Sequence, residues 1–413
     1  MQALCTFFSS VAIGGFLVCT SATAETLSIR RAVNAALTQN PEVAVALAQE
    51  QASTAERESA EWGRYPRLSV DYQTAATSGA SGAGTTLRLD QPLWAGGRID
   101  GAIKAASSTE LAQQEAARQV RQDISERTAS TYIALIESVE RQQLARQAAQ
   151  VFDGLAAYVG RRFAAGVASN SDVTLAAVRR MQIQVLQQQL DLETAQVTAQ
   201  LQSLTLTDIT STVALRVPFL EGFSLEEAER VLVNQSPLVK QRLAQIDAAK
   251  AQLTQRSAAL WPTVSLRVEE IRYSSTQDSR ANVVMQFVPD AGLSTFSQMK
   301  AAQLQVQAAE DRLKGEQVAA RLRARSLKET YLSSRAQTGQ IEQQLSELES
   351  NVESFLRQFE VGRKTWVEVL GIHREFVDAR ISLSRTREQH DQSALRLMAA
   401  AGTLEVWLDG LPQ

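Results

Sequence analysis

The chain has 413 residues, 42 basic against 45 acidic side chains and a formal net charge of −3, so nothing in its charge argues for a nucleic-acid partner. Aromatics make up only 6% and Pro occurs 8 times, a composition of long helices rather than of a compact mixed domain. Both cysteines, Cys5 and Cys19, fall near the N-terminus, which excludes a disulfide framework or a cysteine metal site in the remaining chain.

Phe7 to Val18 form a short apolar run, followed by Ala22-Thr23-Ala24 as a small-x-small cleavage site before Glu25. Residues 1–24 are therefore expected to be a secretory signal peptide, although no Lys or Arg precedes the run. A buried N-terminal helix is the bland alternative. A lipoprotein signal ending at Cys19 is disfavoured because Val18 is bulky. No later segment is apolar and long enough for a transmembrane helix, so any membrane insertion must use strands.

The remaining chain reads as two copies of one pattern. Ser28, Pro41, Pro66, Phe163 and Gly166 each recur 196 residues later, as Ser224, Pro237, Pro262, Phe359 and Gly362. Thr131-Tyr132 pairs better with Thr330-Tyr331, an offset of 199. A constant offset over many landmarks indicates duplication. The first repeat, 25–205, is expected to hold helices in 27–65, strands at 67–76 and 85–93, and long helices at 98–163 and 169–204. A segment at 206–222 links it to the second repeat, 223–402. That repeat has helices in 224–260, strands at 263–273 and 282–289, long helices at 296–359 and 365–401, and a tail at 403–413. With the 206–222 segment, the tail is expected to form a small belt outside the helices.

In each copy the opening helix is interrupted at Asn40-Pro41 or Ser236-Pro237, since proline lacks an N–H and restricts its predecessor. It stops before Tyr65-Pro66 or Trp261-Pro262, where an aromatic ring would suit a membrane–water interface. The strands then alternate. Leu68, Val70 and Tyr72 interleave with Ser69, Asp71 and Gln73, and Leu87 and Leu89 with Thr86, Arg88 and Asp90. Val264, Leu266 and Val268, then Val283, Met285 and Phe287, repeat the phase. Strands of about 9–11 residues with polar turns, in a secreted chain, are read as transmembrane strands rather than as a soluble hairpin. Leu68, Val70, Tyr72, Leu87, Leu89, Val264 and Leu266 are assigned to lipid, and Asp71, Arg88 and Asp90 to the pore. Four strands cannot close a barrel, so the chain must oligomerise, as two copies at the minimum or three for a wider pore.

The helix from Arg98 to about Phe163 holds no proline and would span on the order of 100 Å. Ile341, Leu345, Leu348, Val352, Phe355 and Phe359 form a seam of coiled-coil spacing. The turns between long helices are the most specific local signal. Gly166 and Gly362 suit left-handed helix ends, and Ser169 with Asp172, and Thr365 with Glu368, suit capping boxes.

No catalytic set emerges. His373 and His390 are the only histidines and read as surface or packing residues. The glycines at 82–84 and 96–97 lack the full phosphate-binding pattern. Arg321, Arg323 and Arg325 read as a solvated helix face. No cofactor, metal or enzymatic activity is expected.

The ordered set of these features resembles the outer-membrane efflux protein family of the TolC type: the duplication, the NP and SP breaks, YPRLSVDY with LDQPLWAGGR, and both F-x-x-G-x-x-[ST] turns. The resemblance implies a membrane α+β fold, in which a homotrimer builds a 12-stranded β-barrel in the bacterial outer membrane over an antiparallel α-helical barrel in the periplasm. It implies a passive exit duct for tripartite efflux or type I secretion. A periplasmic adaptor (membrane fusion) protein would dock at the tips, and an ABC or proton-driven inner-membrane transporter would supply energy. It further implies a constricted entrance at Lys364, Glu368, Phe359 and Asp172, and adaptor contact at Gly166, Val167, Ala168, Gly362, Arg363 and Lys364. Phe359 stands where some members have tyrosine, and Gly371 where some have an acidic residue, so the closed-state latch is expected to be differently wired. The rival reading is a periplasmic coiled-coil spacer or adaptor with soluble hairpins.

Overall fold

The structure is a computed structural model, described here for residues 27–73, 84–209, 212, 225–273, 277–288 and 294–410. The expected signal peptide, the Ser/Gly turn after β1, most of the 206–222 segment and the end of the 282–289 strand lie outside the described residues.

Helices α1 (Ile29–Gln39) and α2 (Pro41–Glu61) lead through a single 3-10 turn into strands β1 (Arg67–Gln73) and β2 (Gly84–Trp94). The long helices α3 (Arg98–Ala164) and α4 (Asn170–Thr205) follow. The second copy runs α5 (Leu225–Gln235), α6 (Pro237–Ser257), β3 (Thr263–Tyr273), β4 (Gln277–Gln286), α7 (Ser294–Glu360) and α8 (Trp366–Ala400). A short α9 (Leu404–Asp409) ends it. The fold is thus mostly helical with one four-stranded antiparallel sheet and a two-fold internal repeat.

The proline breaks are built as caps. Asn40 accepts from the Glu42 N–H at 2.9 Å and donates its amide to the Leu204 carbonyl at 3.3 Å. It thereby starts α2 while fastening the α1–α2 corner to the end of α4. Ser236 caps α6 the same way, accepting from the Val239 N–H at 3.3 Å. In both copies Pro takes the first helical position, where its missing N–H costs nothing.

Helix α3 is the spine. Arg57 to Glu110 (2.8 Å) and Glu42 to Arg127 (3.5 Å) place α2 antiparallel along its first half. Gln142 to Asp191 (2.7 Å) and Asp153 to Arg180 (4.0 Å) place α4 along its second half. The second copy repeats the plan on α7, with Lys250 to Glu310 (3.7 Å) from α6 and Arg387 to Glu342 (2.7 Å) from α8. α3 also packs on α6 and α8, which joins the copies. Gly101 permits the close approach to α6: a Cβ there would lie 2.9 Å from the Gln255 backbone nitrogen.

Among the described residues the two larger of four apolar clusters fill most of the stalk. One gathers Ile29, Val33, Tyr132, Ile133, Leu201, Leu395, Met398, Leu404 and Leu408, so α9 packs into it, and Asp409 pairs with Arg30 at 3.1 Å. The other runs toward the tips through Phe152, Val159, Ile183, Leu190, Trp366, Leu370 and Ile381. In the expected α7 seam Leu348 is buried, and Ile341, Leu345, Val352, Phe355 and Phe359 are half-buried.

Strand β4 begins at Gln277, earlier than the 282 start expected from alternation. Residues 277–282 carry no alternating apolar signal, yet β3 offers them a continuous ladder from Arg272↔Gln277 to Arg267↔Asn282. Arg272 and Gln277 both donate to Glu270, at 2.7 and 2.6 Å, which ties the hairpin near its turn. Cross-strand pairing, a non-local force, decides this boundary.

Candidate functional site

The sheet order is β1-β2-β3-β4, so β2 and β3 join the two repeats and β1 and β4 are outer strands. The register pairs Leu68↔Leu89, Val70↔Leu87, Leu89↔Val268, Leu266↔Val283 and Val264↔Met285. These side chains therefore share one face. Leu68, Val70, Tyr72, Leu87, Leu89 and Leu266 are exposed there, Met285 at 71%, and Val264 is half-buried. An apolar face of this extent is not left to water in a soluble monomer. At its helical end stand exposed Trp62, Tyr65, Trp94 and Trp261, with Trp94 edge-on to Trp261 at 6.3 Å.

The opposite face is charged and internally paired. Arg88 Nε donates to Glu269 Oε1 at 2.7 Å, and Arg280 Nη2 lies 2.7 Å from Glu269 Oε2. Asp71 lies 3.8 Å from Arg88, and Arg267 donates to Asp90 at 2.7 Å. Asp71, Arg88 and Asp90 thus fall on one face, joined by Glu269, Arg267 and Arg280, which sequence reading did not single out. Only the strand register brings these six together.

At the far end of the stalk the two helical turns share one construction. Gly166 and Gly362 have φ of 76° and 75°. Val167 donates its N–H to the Arg162 carbonyl at 2.9 Å and Arg363 to the Gln358 carbonyl at 2.8 Å, closing both helix ends. Ser169 and Asp172 cap α4 reciprocally. Thr365 and Glu368 do so for α8, with Glu368 Oε2 accepting from the Thr365 N–H at 2.8 Å. Glu368 Oε1 accepts from Lys364 Nζ at 2.7 Å. These bonds, the Lys364 one first and then those from Thr365, lower the Glu368 carboxyl to about 2.

Lys364 and Glu368 are therefore brought together within one chain, one helical turn apart. Phe359 lies instead in an aromatic cluster: 5.2 Å from the Trp366 ring, 6.3 Å from Tyr158, with the Arg162 guanidinium 5.0 Å over its face. Lys364 also lies 4.4 Å over the Phe355 ring. This cluster joins the α3–α4 tip to the α7–α8 tip, and Tyr158, Arg162 and Trp366 were missed in the sequence. The one available signal was Tyr158 and Arg162 at helical i,i+4 spacing. Asp172 stays in its own cap, apart from the Lys364–Glu368 pair. Gly166, Val167, Gly362 and Arg363 are exposed and Ala168 is half-buried.

The histidines are packed. His390 is buried and stacks on Tyr331 at 5.0 Å, and burial, then Arg335, lowers its pKa. His373 packs edge-on to Phe152 at 6.4 Å and is lowered by burial. Arg321, Arg323 and Arg325 are exposed.

A sheet with one largely apolar and one ion-paired face, carried on two long helical hairpins, defines a membrane channel protein with a helical stalk. The chain belongs to the outer membrane efflux protein family, whose sequence profile matches residues 32–208 and again 230–403, once in each repeat. It is accordingly an outer-membrane efflux channel protein and not an enzyme. No curated protein matches it in sequence. Several solved structures share its fold. A membrane protein from Pseudomonas aeruginosa has a TM-score of 0.81 at 18% identity, over 91% of this chain and 93% of that one. The outer membrane protein VceC from Vibrio cholerae has 0.79 at 17%, over 91% and 96%. The Campylobacter jejuni CmeC outer membrane channel has 0.79 at 14%, over 98% and 94%.

Proposed function

We propose that three copies of this chain assemble into a channel-tunnel that serves as the passive exit duct of a tripartite efflux or type I secretion system. The observation that carries the reading is the sheet: four strands with an exposed apolar face and outer strands β1 and β4 at its two edges. Lipid tolerates no open strand edge, four strands are too few for a barrel, and three copies supply about 12. The apolar face then meets lipid, the charged face lines the pore, and the stalk extends into the periplasm. The tips form the entrance, where an adaptor protein engages the two Gly turns and an ABC or proton-driven inner-membrane transporter delivers cargo. Opening moves the α7–α8 tip relative to the α3–α4 tip. The Lys364–Glu368 pair preserves the start of α8, and the Phe359–Trp366–Tyr158 contact is what must shift.

The test is fractionation followed by electrophoresis with and without heating. A heat-modifiable trimer in the outer-membrane fraction supports the duct; a soluble monomer in the periplasmic fraction overturns it.

A further inference from the structure

We infer that a buried cluster centred on Arg141 is the pivot of tip opening, pinning α4 and α8 to α3 partway along the stalk so that helices swing only below it. The inference rests on the duct reading and deepens it. The Arg141 side chain is 1% exposed. Its Nη2 donates to Glu193 Oε1 on α4 at 2.6 Å, and its Nη1 donates to Glu388 Oε2 on α8 at 2.8 Å. Ser384 of α8 donates its hydroxyl to Glu137 Oε2 of α3 at 2.7 Å, and Gln392 braces Glu388 at 3.1 Å. One guanidinium therefore joins three helices.

Such a joint resists sliding. Charge-assisted bonds from a planar fork demand both distance and direction, and a shift of one helical position would strand buried charge. The interface from here to the tips is of another kind. It consists of Ala145, Ala148, Phe152 and Val159 of α3 against Ile183 of α4 and Val369, Leu370 and Val377 of α8. Apolar contact is non-directional and tolerates small sliding. The polar links that α8 makes to α3 and α4 on that stretch, Arg380 to Gln147 and Arg374 to Gln182, are exposed bonds of 3.3 Å, whereas α3 and α4 stay joined by Gln142 to Asp191 at 2.7 Å beside the cluster. On the other side of the cluster α8 is held again, by the His390–Tyr331 stack and the apolar core around Leu395. The second repeat does not copy the joint. At offsets of 196 and 199 from Arg141 stand Gln337 and Gln340, both exposed on α7. The pin is thus confined to the α3–α4–α8 junction, and the part of the α7–α8 hairpin between it and the tip is the moving partner.

The test compares native protein with Arg141→Lys, which keeps the charge and loses the fork, and with the Glu193→Gln, Glu388→Gln double variant. The heat-stable oligomer is the assembly control. Expected for both is a several-fold rise in single-channel conductance or open fraction in planar bilayers, at native oligomer yield. Two cysteine pairs, Gln147→Cys with Arg380→Cys below the joint and Glu126→Cys with Arg396→Cys above it, are bridged with a short bis-maleimide. In the Arg141→Lys background bridging falls below the joint and persists above it, and bridging below restores native conductance. Native conductance in an intact oligomer, or equal loss of bridging at both levels, overturns the pivot. If Arg141→Lys fails to assemble, the double variant decides alone. A native chain that forms no conducting oligomer overturns the duct reading itself, and the pivot with it.

Discussion

Lys364 Nζ lies 2.7 Å from Glu368 Oε1, while Oε2 of the same carboxylate accepts from the Thr365 N–H at 2.8 Å and the Thr365 hydroxyl at 2.9 Å. The tip carboxylate is therefore occupied on both oxygens. Its pKa of about 2 lies below the ordinary carboxylate value of about 4.3. A depressed acid contributes stability above the unfolded pKa and loses it as pH falls through the folded one. The first turn of α8 should thus hold its amide protection down to about pH 4 and lose it as pH falls toward 2. Hydrogen exchange at the Thr365 and Glu368 amides measures this. In Glu368→Gln protection, taken relative to the unfolded rate at each pH, should be lower and flat over that window; a flat protection profile in the native protein would refute the assignment.

Gly101 and Gly362 should respond differently to alanine. At Gly101 the new Cβ would meet Gln255 N at 2.9 Å and Ala251 O at 3.1 Å, backbone atoms that cannot turn aside. Forcing α3 from α6 should cost about 1–3 kcal/mol. At Gly362 nothing lies within 4 Å, and only the φ of 75° opposes a side chain, which costs about 1–2 kcal/mol. Thermal melts in detergent should therefore show a cooperative drop for Gly101→Ala. For Gly362→Ala, faster exchange confined to the tip is expected. The reverse order would contradict the packing described.

Trp366 is buried, and its indole Nε1 has no hydrogen-bond partner among the described residues. Its contribution is therefore area and ring packing against Phe359 and Tyr158. Trp366→Ala should destabilise the tip by about 3–5 kcal/mol, whereas Trp366→Phe, which removes the unpaired N–H, should cost much less. Equal losses in the two variants, measured by denaturant unfolding, would point to a bond at Nε1 instead.

His390 and His373 both have pKa values lowered by burial. His390 faces Tyr331, Ser334 and Arg335 of α7. A lowered histidine favours the neutral folded form, so the unfolded chain binds protons first. Its contribution is complete above about pH 6.5 and is lost as pH falls below that value toward the folded pKa. The melting temperature should accordingly fall between about pH 7 and pH 5, and His390→Asn with His373→Asn should flatten that slope. An unchanged slope would place the pH dependence elsewhere.

Much of this protein is written in local code. Alternation at Leu68-Val70-Tyr72 and at Val264-Leu266-Val268 marked strands because side-chain direction has period two. The two F-x-x-G-x-x-[ST] turns were legible because a left-handed glycine and a three-residue capping box act within a few residues. Family resemblance rested on the order of these signals, and the matched profile bears it out. The polar start of β4 was not legible, since Gln277 to Asn282 is extended only because β3 pairs with it. Nor was the Tyr158–Phe359–Trp366 cluster, whose members come from two repeats.

The sequence by itself determined the duplication, the helical stalk, the alternating strands and the capped turns of both tips, because each depends on periodicity or on neighbours one turn away. Tertiary structure alone decided which distant charges meet. Arg141 finds Glu193 and Glu388 at separations of 52 and 247 residues, and Arg88 finds Glu269 at 181. Nothing in the residues adjoining Arg141 or Arg88 encodes these partners. Helix packing and strand register bring the groups together, and the cost of leaving a buried charge unpaired holds them there.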